Sequence, residues 1–328
     1  MHILQLANFY GSTSGGLRIA IDELATRYLA AGAQVTTIVP GRRNSQRVDP
    51  HGRRMVEVRA PLVPGMGGYR VIVNTGLVER LIDEVRPDVI ELSDKTTLAT
   101  AVTRPRRDRP PVVLISHERL DKVVGQSFSQ RLTLLRAVRA FNNRLADRVD
   151  AVVCCSDFAA EEFRRDGPPI HRIALGVDLD VFTPGPAPFN RRPQIVTVVR
   201  LAPDKDPMLL VETSRHLLEL GRDHHWTVIG DGPLRPDLIE AARDLPVTFA
   251  GYERDRRLIA ALVSQADVGV SPGPCETFGL AALELLACGT PVVVPSQGAL
   301  RELVPDEAGR VCARTGRAFA HGILDLLD

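Results

Sequence analysis

The sequence predicts an α/β protein of two doubly wound, parallel-sheet domains. Three observations predict it. Apolar runs of strand length alternate with amphipathic helical segments along the whole chain. Runs such as DVIEL, PVVLIS and PVVVPS are apolar at almost every residue, as strands covered on both faces are. A Pro- and Gly-rich stretch without periodicity, TPGPAPFNRRP at residues 183–193, interrupts the alternation. The 328 residues exceed what one core ordinarily serves, so the expected domains are 1–187 and 188–328.

In the first half, HILQLANF reads as a strand. The helix that follows, GGLRIAIDELATRYLAAG, aligns Leu17, Ile21, Leu24, Tyr28 and Leu29 on one face and closes at Gly32. AQVTTIVP is the next strand, then a helix around VIVNTGLVERLIDEVR. The strands DVIELSD, PVVLISH and AVVCCSD follow, with the long helix QRLTLLRAVRAFNNRLADR between the last two. The second half repeats the alternation: IVTVVRL, WTVIGDG, VTFAGY, DVGVSPG and PVVVPS are strands. Their helices are MLLVETSRHLLELG, PDLIEAARDL, RLIAALVSQA and the segment after CETFG. Two such domains facing each other would hold a ligand at the carboxyl ends of their strands.

Composition narrows the function. Hydrophobic residues make up 44% and charged residues 25%, as in a soluble globular protein. The net charge of +1 calls for no nucleic-acid partner. Residues 1–187 carry 26 Lys+Arg and 21 Asp+Glu, or +5; residues 188–328 carry 15 and 19, or −4. That imbalance is either ordinary solvated charge or weak attraction to an anionic surface. The start, MHILQLANFYG, has no leader pattern, and no apolar run approaches membrane-spanning length. The odd count of 5 cysteines, none in a CxxC pair, suits a reduced cytoplasmic protein with buried thiols.

The stretch CETFGLAALELLACGTPVVVP carries two acids, Glu276 and Glu284, on an otherwise apolar segment. Glu276 follows a strand, and residues 277–280 read as the first helical turn, whose amides are available to an anion or hydroxyl. A carboxylate there either caps the helix or meets a ligand. Glu284 lies along the same helix and needs a polar partner if buried. Arg200 ends a strand, with Lys205 five residues on, so both reach one diphosphate. Gly15 and Gly16 open the first helix, where backbone comes close to phosphate. Gly230 and Gly232 in GDGP fit a turn as well as a ligand loop, and Tyr252 is a loop aromatic or a base contact. His117 ends a strand; His224 and His225 carry no pattern and read as surface groups.

Taken together these motifs resemble glycosyltransferase family 4, retaining enzymes of the GT-B fold with two facing Rossmann-like domains. The resemblance spans almost the whole chain: ANFYGSTSGGLR, ISHERLD, LGVDLDVFTPG, VVRLAPDKD, GDGPLR and the Glu-x7-Glu segment occur in family order. ANFYGSTSGGLR, SHERLD and PCETFGLAALELLACGTPVVV look closest to actinobacterial GDP-mannose-dependent α-mannosyltransferases of the phosphatidylinositol-mannoside type. The resemblance implies that Arg200 and Lys205 meet the leaving diphosphate and Glu276 the sugar hydroxyls. It implies that Glu284 holds the ribose, that the backbone of Phe278, Gly279 and Leu280 completes the cradle, and that His117 holds the transferred sugar.

Tyr10, Arg18 and Asp121 are candidate acceptor contacts. The expected partners are a nucleotide sugar, a glycolipid or glycan acceptor and an anionic membrane at the inner face, contacted by Arg131, Arg136, Arg139, Arg144 and Arg148 unless these form a solvated face. No cofactor and no metal is expected: Asp178-Leu179-Asp180 falls in the interdomain segment. The alternative donor is a UDP-sugar. A dinucleotide oxidoreductase is disfavoured, since NFYGSTSGG lacks Gly-x-Gly-x-x-Gly and AQVTTIVP ends at Gly41 without a ribose-binding acid. A two-lobed binding protein would leave the two glutamates, Arg200 and Lys205 unexplained. Family chains usually continue past a helix like AFAHGILDLLD and cross back, so the expectation here is either a truncated chain or a C-terminal domain without the crossover helix.

Overall fold

The computed structural model describes residues 1–11, 15–63, 68–104, 108–121, 131–164, 166–186 and 191–328, without the side chains of 131–135. The chain divides into two compact units, Met1–Ile173 and Ala174–Asp328. The sequence reading put the division later, between 187 and 188. Phe182 explains the difference. It is fully buried among Val196, Ile229, Ala260, Val263 and Leu285 of the second unit, so the segment before the Pro/Gly stretch already belongs there.

The first unit is an eight-stranded sheet in the order β3-β4-β2-β1-β5-β6-β7-β8. Its strands are β1 (His2–Leu6), β2 (Gln34–Gly41), β3 (Ser45–Val48), β4 (Arg54–Arg59), β5 (Val89–Leu92), β6 (Val112–Ser116), β7 (Ala151–Cys154) and β8 (Ile170–Arg172). All pairings are parallel except β3 with β4. The expected strands at β1, β2, β5, β6 and β7 are present. The β3–β4 hairpin and β8 are additions that the sequence hid: β3 and β8 are short, polar edge strands, and in β4 (RMVEVR) charged residues interrupt the apolar run although Met55, Val56 and Val58 are buried. Four-residue β3 has no fully buried residue, and Val48 on it is 69% exposed.

The first helix spans Gly16–Ala30 and ends where Gly32 takes the left-handed conformation, φ 82°. Its buried face differs from the expected one: Ala20, Ile21 and Ala25 face the sheet fully, while the larger Leu17, Leu24, Tyr28 and Leu29 lie at the margins. Close helix–sheet contact favours the small side chains. The helix Thr75–Val85 starts where Asn74 accepts a hydrogen bond from the Leu77 amide at 3.1 Å. The long helix covers Arg131–Ala146. Arg136, Arg139, Arg144 and Arg148 are exposed, while the side chain of Arg131 lies outside the described residues.

The second unit is a parallel six-stranded sheet in the order β11-β10-β9-β12-β13-β14. The strands are β9 (Gln194–Val198), β10 (His225–Ile229), β11 (Val247–Gly251), β12 (Val268–Val270), β13 (Val292–Pro295) and β14 (Gly309–Cys312). Strand order reverses between β9 and β12, which is the doubly wound topology. Pleating sends alternate residues to opposite faces. Ile195, Val268, Val270 and Val293 meet Leu210, Leu217, Phe319 and Ile323 on one side. Val196, Val292 and Val294 meet Ala260, Val263, Ala282 and Leu285 on the other. Trp226, the sole tryptophan, is fully buried in the first of these clusters and donates to Thr197 Oγ1 at 3.1 Å.

Two side-chain expectations change. His224 is not a surface group: it is 1% exposed and bonded to Ser214 Oγ at 2.8 Å. All five cysteines are free thiols, but only Cys154, Cys155 and Cys288 are fully buried. Among the described residues, no helix is long and apolar enough to cross a membrane.

Gly230 has φ 141°, and a Cβ on it would stand 1.9 Å from the Val199 carbonyl oxygen. Gly230→Ala therefore destabilises the second unit by about 2–4 kcal/mol. Gly176, with nothing within 4 Å of an added Cβ, is the control and tolerates alanine. Urea unfolding followed by Trp226 fluorescence checks both, because that indole reports only the second unit.

Candidate active site

The reversal of strand order opens a crevice at the carboxyl ends of β9 and β12. β9 runs out into Val199 and Arg200; β12 runs out toward Gly273 and Glu276. The Arg200 segment is stitched to the GDGP turn. Val199 N donates to the Ile229 carbonyl, Leu201 N to the Asp231 carbonyl, and Leu234 N to the Leu201 carbonyl. A Cβ on Gly232 would lie 2.3 Å from the Leu201 oxygen. Gly230 and Gly232 thus let two backbones touch on either side of Arg200. That is a structural use, and it sets where the guanidinium starts from.

Pro203–Lys205 form a single 3₁₀ turn, closed by Asp206 in the left-handed conformation at φ 48°. This turn brings Lys205 back over the crevice, where Nζ donates to Glu276 Oε1 at 2.8 Å. Residues 71 apart in sequence are thereby joined. Burial disfavours the Lys205 charge, but Glu276 and Asp204 more than offset it, so its ammonium pKa lies above the ordinary value. Arg200 Nη2 donates to Asp204 Oδ2 at 2.8 Å, and Lys205 Nζ lies 3.6 Å from the same oxygen.

The helix that bears Glu284 begins later than the sequence suggested. It covers Leu280–Ala287, with Gly279 as its N-cap at φ 95° and no side-chain cap. Residues 277–279 are therefore not its first turn, and Glu276 does not cap it. A Cβ on Gly279 would meet Leu300 Cδ2 at 2.1 Å, so glycine is required there. The Glu276 carbonyl instead accepts from the Ala299 amide at 3.0 Å, tying this loop to the next. Phe278 is buried, and the amides of Leu280 onward carry the helix's unpaired donors.

Glu284 is 6% exposed. Its required partner is Arg256, with Nη2 at 3.1 Å from Oε1. That guanidinium also lies 4.8 Å from the centre of the Phe182 ring. Burial raises the Glu284 pKa and Arg256 opposes the rise, leaving it above the ordinary carboxylate value. Sequence reading demanded a partner for Glu284 but missed Arg256, because the two are distant in the chain. Asp255, which caps its own helix by accepting from the Arg257 amide, fixes the start of the segment that supplies it. Tyr252 is 45% exposed beyond the end of β11.

In the first unit, His117 follows β6 and its Nε2 lies 3.1 Å from Ser93 Oγ, beyond the end of β5. Burial first, and then the nearby Lys95, push its imidazole down to about 4, so it is neutral at physiological pH. Lys95 is itself buried, paired with Glu162 and bonded to the Glu118 carbonyl. Tyr10 and Arg18 come together. The Tyr10 hydroxyl donates to Asp22 at 2.6 Å, Arg18 lies 3.4 Å from the same carboxylate, and its guanidinium is 5.6 Å from the Tyr10 ring centre. Arg53 completes this cluster at 2.7 Å from Asp22. Gly15 is exposed at the head of the first helix and nothing lies within 4 Å of where its Cβ would be; Gly16 is the first helical residue. Residues 12–14 of the same loop lie outside the described residues.

Asp121 is the exception among the candidates. It is 3% exposed, and both of its oxygens bond Arg119, at 2.9 and 2.7 Å. Arg119 in turn bonds the Phe158 carbonyl and Glu161. Asp121 is thus a member of a buried ion pair with Arg119. Asp178 accepts from the Asp180 amide at 3.0 Å and shapes a turn. Among the described residues, no cluster of three or more His, Cys, Asp or Glu is placed to hold a metal ion.

Residues 14–181 match the family model described as Glycosyltransferase Family 4, and residues 192–328 match Glycosyl transferases group 1. The chain belongs to glycosyltransferase family 4. The GDP-mannose-dependent alpha-(1-6)-phosphatidylinositol dimannoside mannosyltransferase of Mycobacterium tuberculosis is 39% identical over 337 residues, covering 100% of this chain and 88% of that protein. The GDP-mannose-dependent alpha-mannosyltransferase of Mycolicibacterium smegmatis is 29% identical over 91% of this chain and 79% of its own. Among solved structures, sucrose-phosphate synthase from Thermosynechococcus elongatus superposes with a TM-score of 0.80 at 20% identity, covering 100% and 90% of the two chains. Anabaena HepE in complex with UDP-glucose gives 0.75 at 19%, with the same coverage. These likenesses establish the GT-B fold, and the family makes the protein a glycosyltransferase.

The Arg256–Glu284 pair yields a pH-dependent prediction. Without Arg256, the Glu284 pKa rises further above its unfolded value. The ionised carboxylate then costs stability above the unfolded pKa, increasingly so through the raised folded value. Arg256→Met therefore lowers stability by about 2–3 kcal/mol at pH 8, and by clearly less as the pH falls toward the ordinary carboxylate range and Glu284 takes up a proton. The difference between variant and wild type in Trp226-monitored urea midpoints, followed as the pH is lowered, measures it.

Proposed function

We propose that this glycosyltransferase moves an α-mannosyl group from GDP-mannose to a phosphatidylinositol-mannoside-type glycolipid, with retention of configuration. The observation that carries the proposal is the 39% identity along the entire chain to the mycobacterial mannosyltransferase. The paired Lys205 and Glu276 at the reversal of strand order support it, since they set a cation and a carboxylate side by side where a diphosphate-linked sugar would lie.

In this reading Arg200 and Lys205 take the diphosphate. When the bond from the anomeric carbon to the β-phosphate oxygen breaks, negative charge grows on that phosphate, and the two cations stabilise it. The acceptor hydroxyl oxygen forms the new bond on the same face, and its proton passes to the leaving phosphate. Glu276 accepts from sugar hydroxyls and Glu284 from the ribose hydroxyls. The backbone of Phe278, Gly279 and Leu280, with Gly15 and Gly16, approaches sugar and phosphates; Tyr252 lies against the base. Neutral His117 hydrogen-bonds the transferred sugar. Tyr10 and Arg18 contact the acceptor. The cations make a metal ion unnecessary, and the exposed arginines of Arg131–Ala146 meet an anionic inner membrane face.

The test is transfer from a panel of GDP-mannose, UDP-glucose and UDP-N-acetylglucosamine, with and without phosphatidylinositol dimannoside. GDP-mannose alone is expected to be consumed, with mannosylated lipid as product; turnover of a UDP-sugar instead overturns the donor assignment. Glu276→Ala lowers kcat by about 100-fold or more. Glu284→Ala mainly weakens GDP binding. Negligible effects of both would remove them from the donor site.

A further inference from the structure

Arg200, Asp204, Lys205 and Glu276 form a chain of alternating charge. Arg200 meets Asp204 at 2.8 Å, Asp204 meets Lys205 at 3.6 Å, and Lys205 meets Glu276 at 2.8 Å. Two cations and two carboxylates sum to zero. A site built only to attract a diphosphate has no use for an acid on its arginine. Glu276 is accounted for by the donor sugar, but Asp204 is not.

The two partners of the Arg200–Asp204 pair differ in freedom. Asp204 sits in the Pro203–Lys205 turn. The Lys205 amide bonds to the Ala202 carbonyl, Asp206 is left-handed, and Arg314 holds Asp206 at 3.3 Å. Arg200 has its backbone fixed by the GDGP turn, yet its side chain is 42% exposed and long enough to swing. Asp204 is thus the stationary member and the guanidinium the mobile one.

We propose that Asp204 is a built-in competitor of the donor diphosphate: it holds Arg200 until phosphate displaces it, and reclaims Arg200 as the nucleoside diphosphate leaves. This rests on the reading of Arg200 and Lys205 as the diphosphate cations. Binding then exchanges one anion for another on Arg200, and Asp204 remains as a like charge near the phosphates. The cost falls on the phosphate part of the ligand alone. A half-exposed pair is weak, so the effect is moderate, and salt screening reduces it. The benefit is release: a product with a diphosphate on two cations would otherwise leave slowly.

The experiment is calorimetric binding of GDP, UDP and guanosine to the full chain and to Asp204→Asn, with Asp204→Ser as a second neutral replacement. Both variants are expected to bind GDP about 3- to 10-fold more tightly, with slower dissociation, and the gain shrinks at high salt. Guanosine, which carries no phosphate, binds wild type and variants alike. Unchanged or weaker GDP binding in both variants overturns the proposal and makes Asp204 a support for Arg200. Equal tightening of guanosine also overturns it. If the wild type binds UDP and not GDP, the same comparison is read with UDP and uridine. Binding of neither nucleotide sinks the donor-site reading itself, and the competitor role with it.

Discussion

The second unit is organised by a backbone contact that leaves no room for a side chain. The GDGP turn lies directly on Val199–Leu201, with Gly230 and Gly232 at the two points of touch. Three backbone hydrogen bonds close the seam. Because β9 is the strand at which the order reverses, its continuation must be held at the mouth of the crevice. Without the seam, Arg200 would hang from a loop. With it, the chain turns at once into Pro203–Lys205, and Lys205 arrives at Glu276. The positions of Arg200 and Lys205 are therefore consequences of packing between the chain after β9 and the turn after β10.

Both glutamates at this site are answered by a cation from a different element. Lys205 answers Glu276 across the β9 and β12 loops, and Arg256 answers Glu284 from the neighbouring helix. The two glutamates thus sit in different surroundings. Glu276 is partly exposed with a lysine in the crevice, whereas Glu284 is buried with an arginine that rests on Phe182. Phe182 comes from the segment that enters the unit, which ties the burial of Glu284 to the packing of residues 174–186.

Most strands were legible because cover on both faces leaves an unbroken apolar run, complete in VVVP of β13 and partial in VVLIS of β6. β3, β4, β8 and β14 left no such trace: they lie at or beside sheet edges and carry polar residues. The placement of Arg200 and Glu276 beyond strand ends could be read because the strands themselves could. Their partners could not. Arg256 and Glu284, or Arg119 and Glu161, meet only once the fold is made. The pair of Asp121 with Arg119, two residues away, likewise shows only in the folded chain. Gly279 misplaced the helix start, since its left-handed backbone is invisible until Leu300 is seen against it.

The β3–β4 hairpin has a consequence for how the molecule behaves among copies of itself. A parallel sheet that simply stopped at β4 would offer a row of backbone donors and acceptors to any passing strand. Here the chain doubles back antiparallel and ends the sheet with Ser45, Gln46, Arg47 and Val48, four residues with Arg47 exposed among them. Such an edge is too short and too charged to template another strand. The first unit thus ends that border on a short strand of its own with an exposed arginine, a form of edge that discourages pairing with another chain.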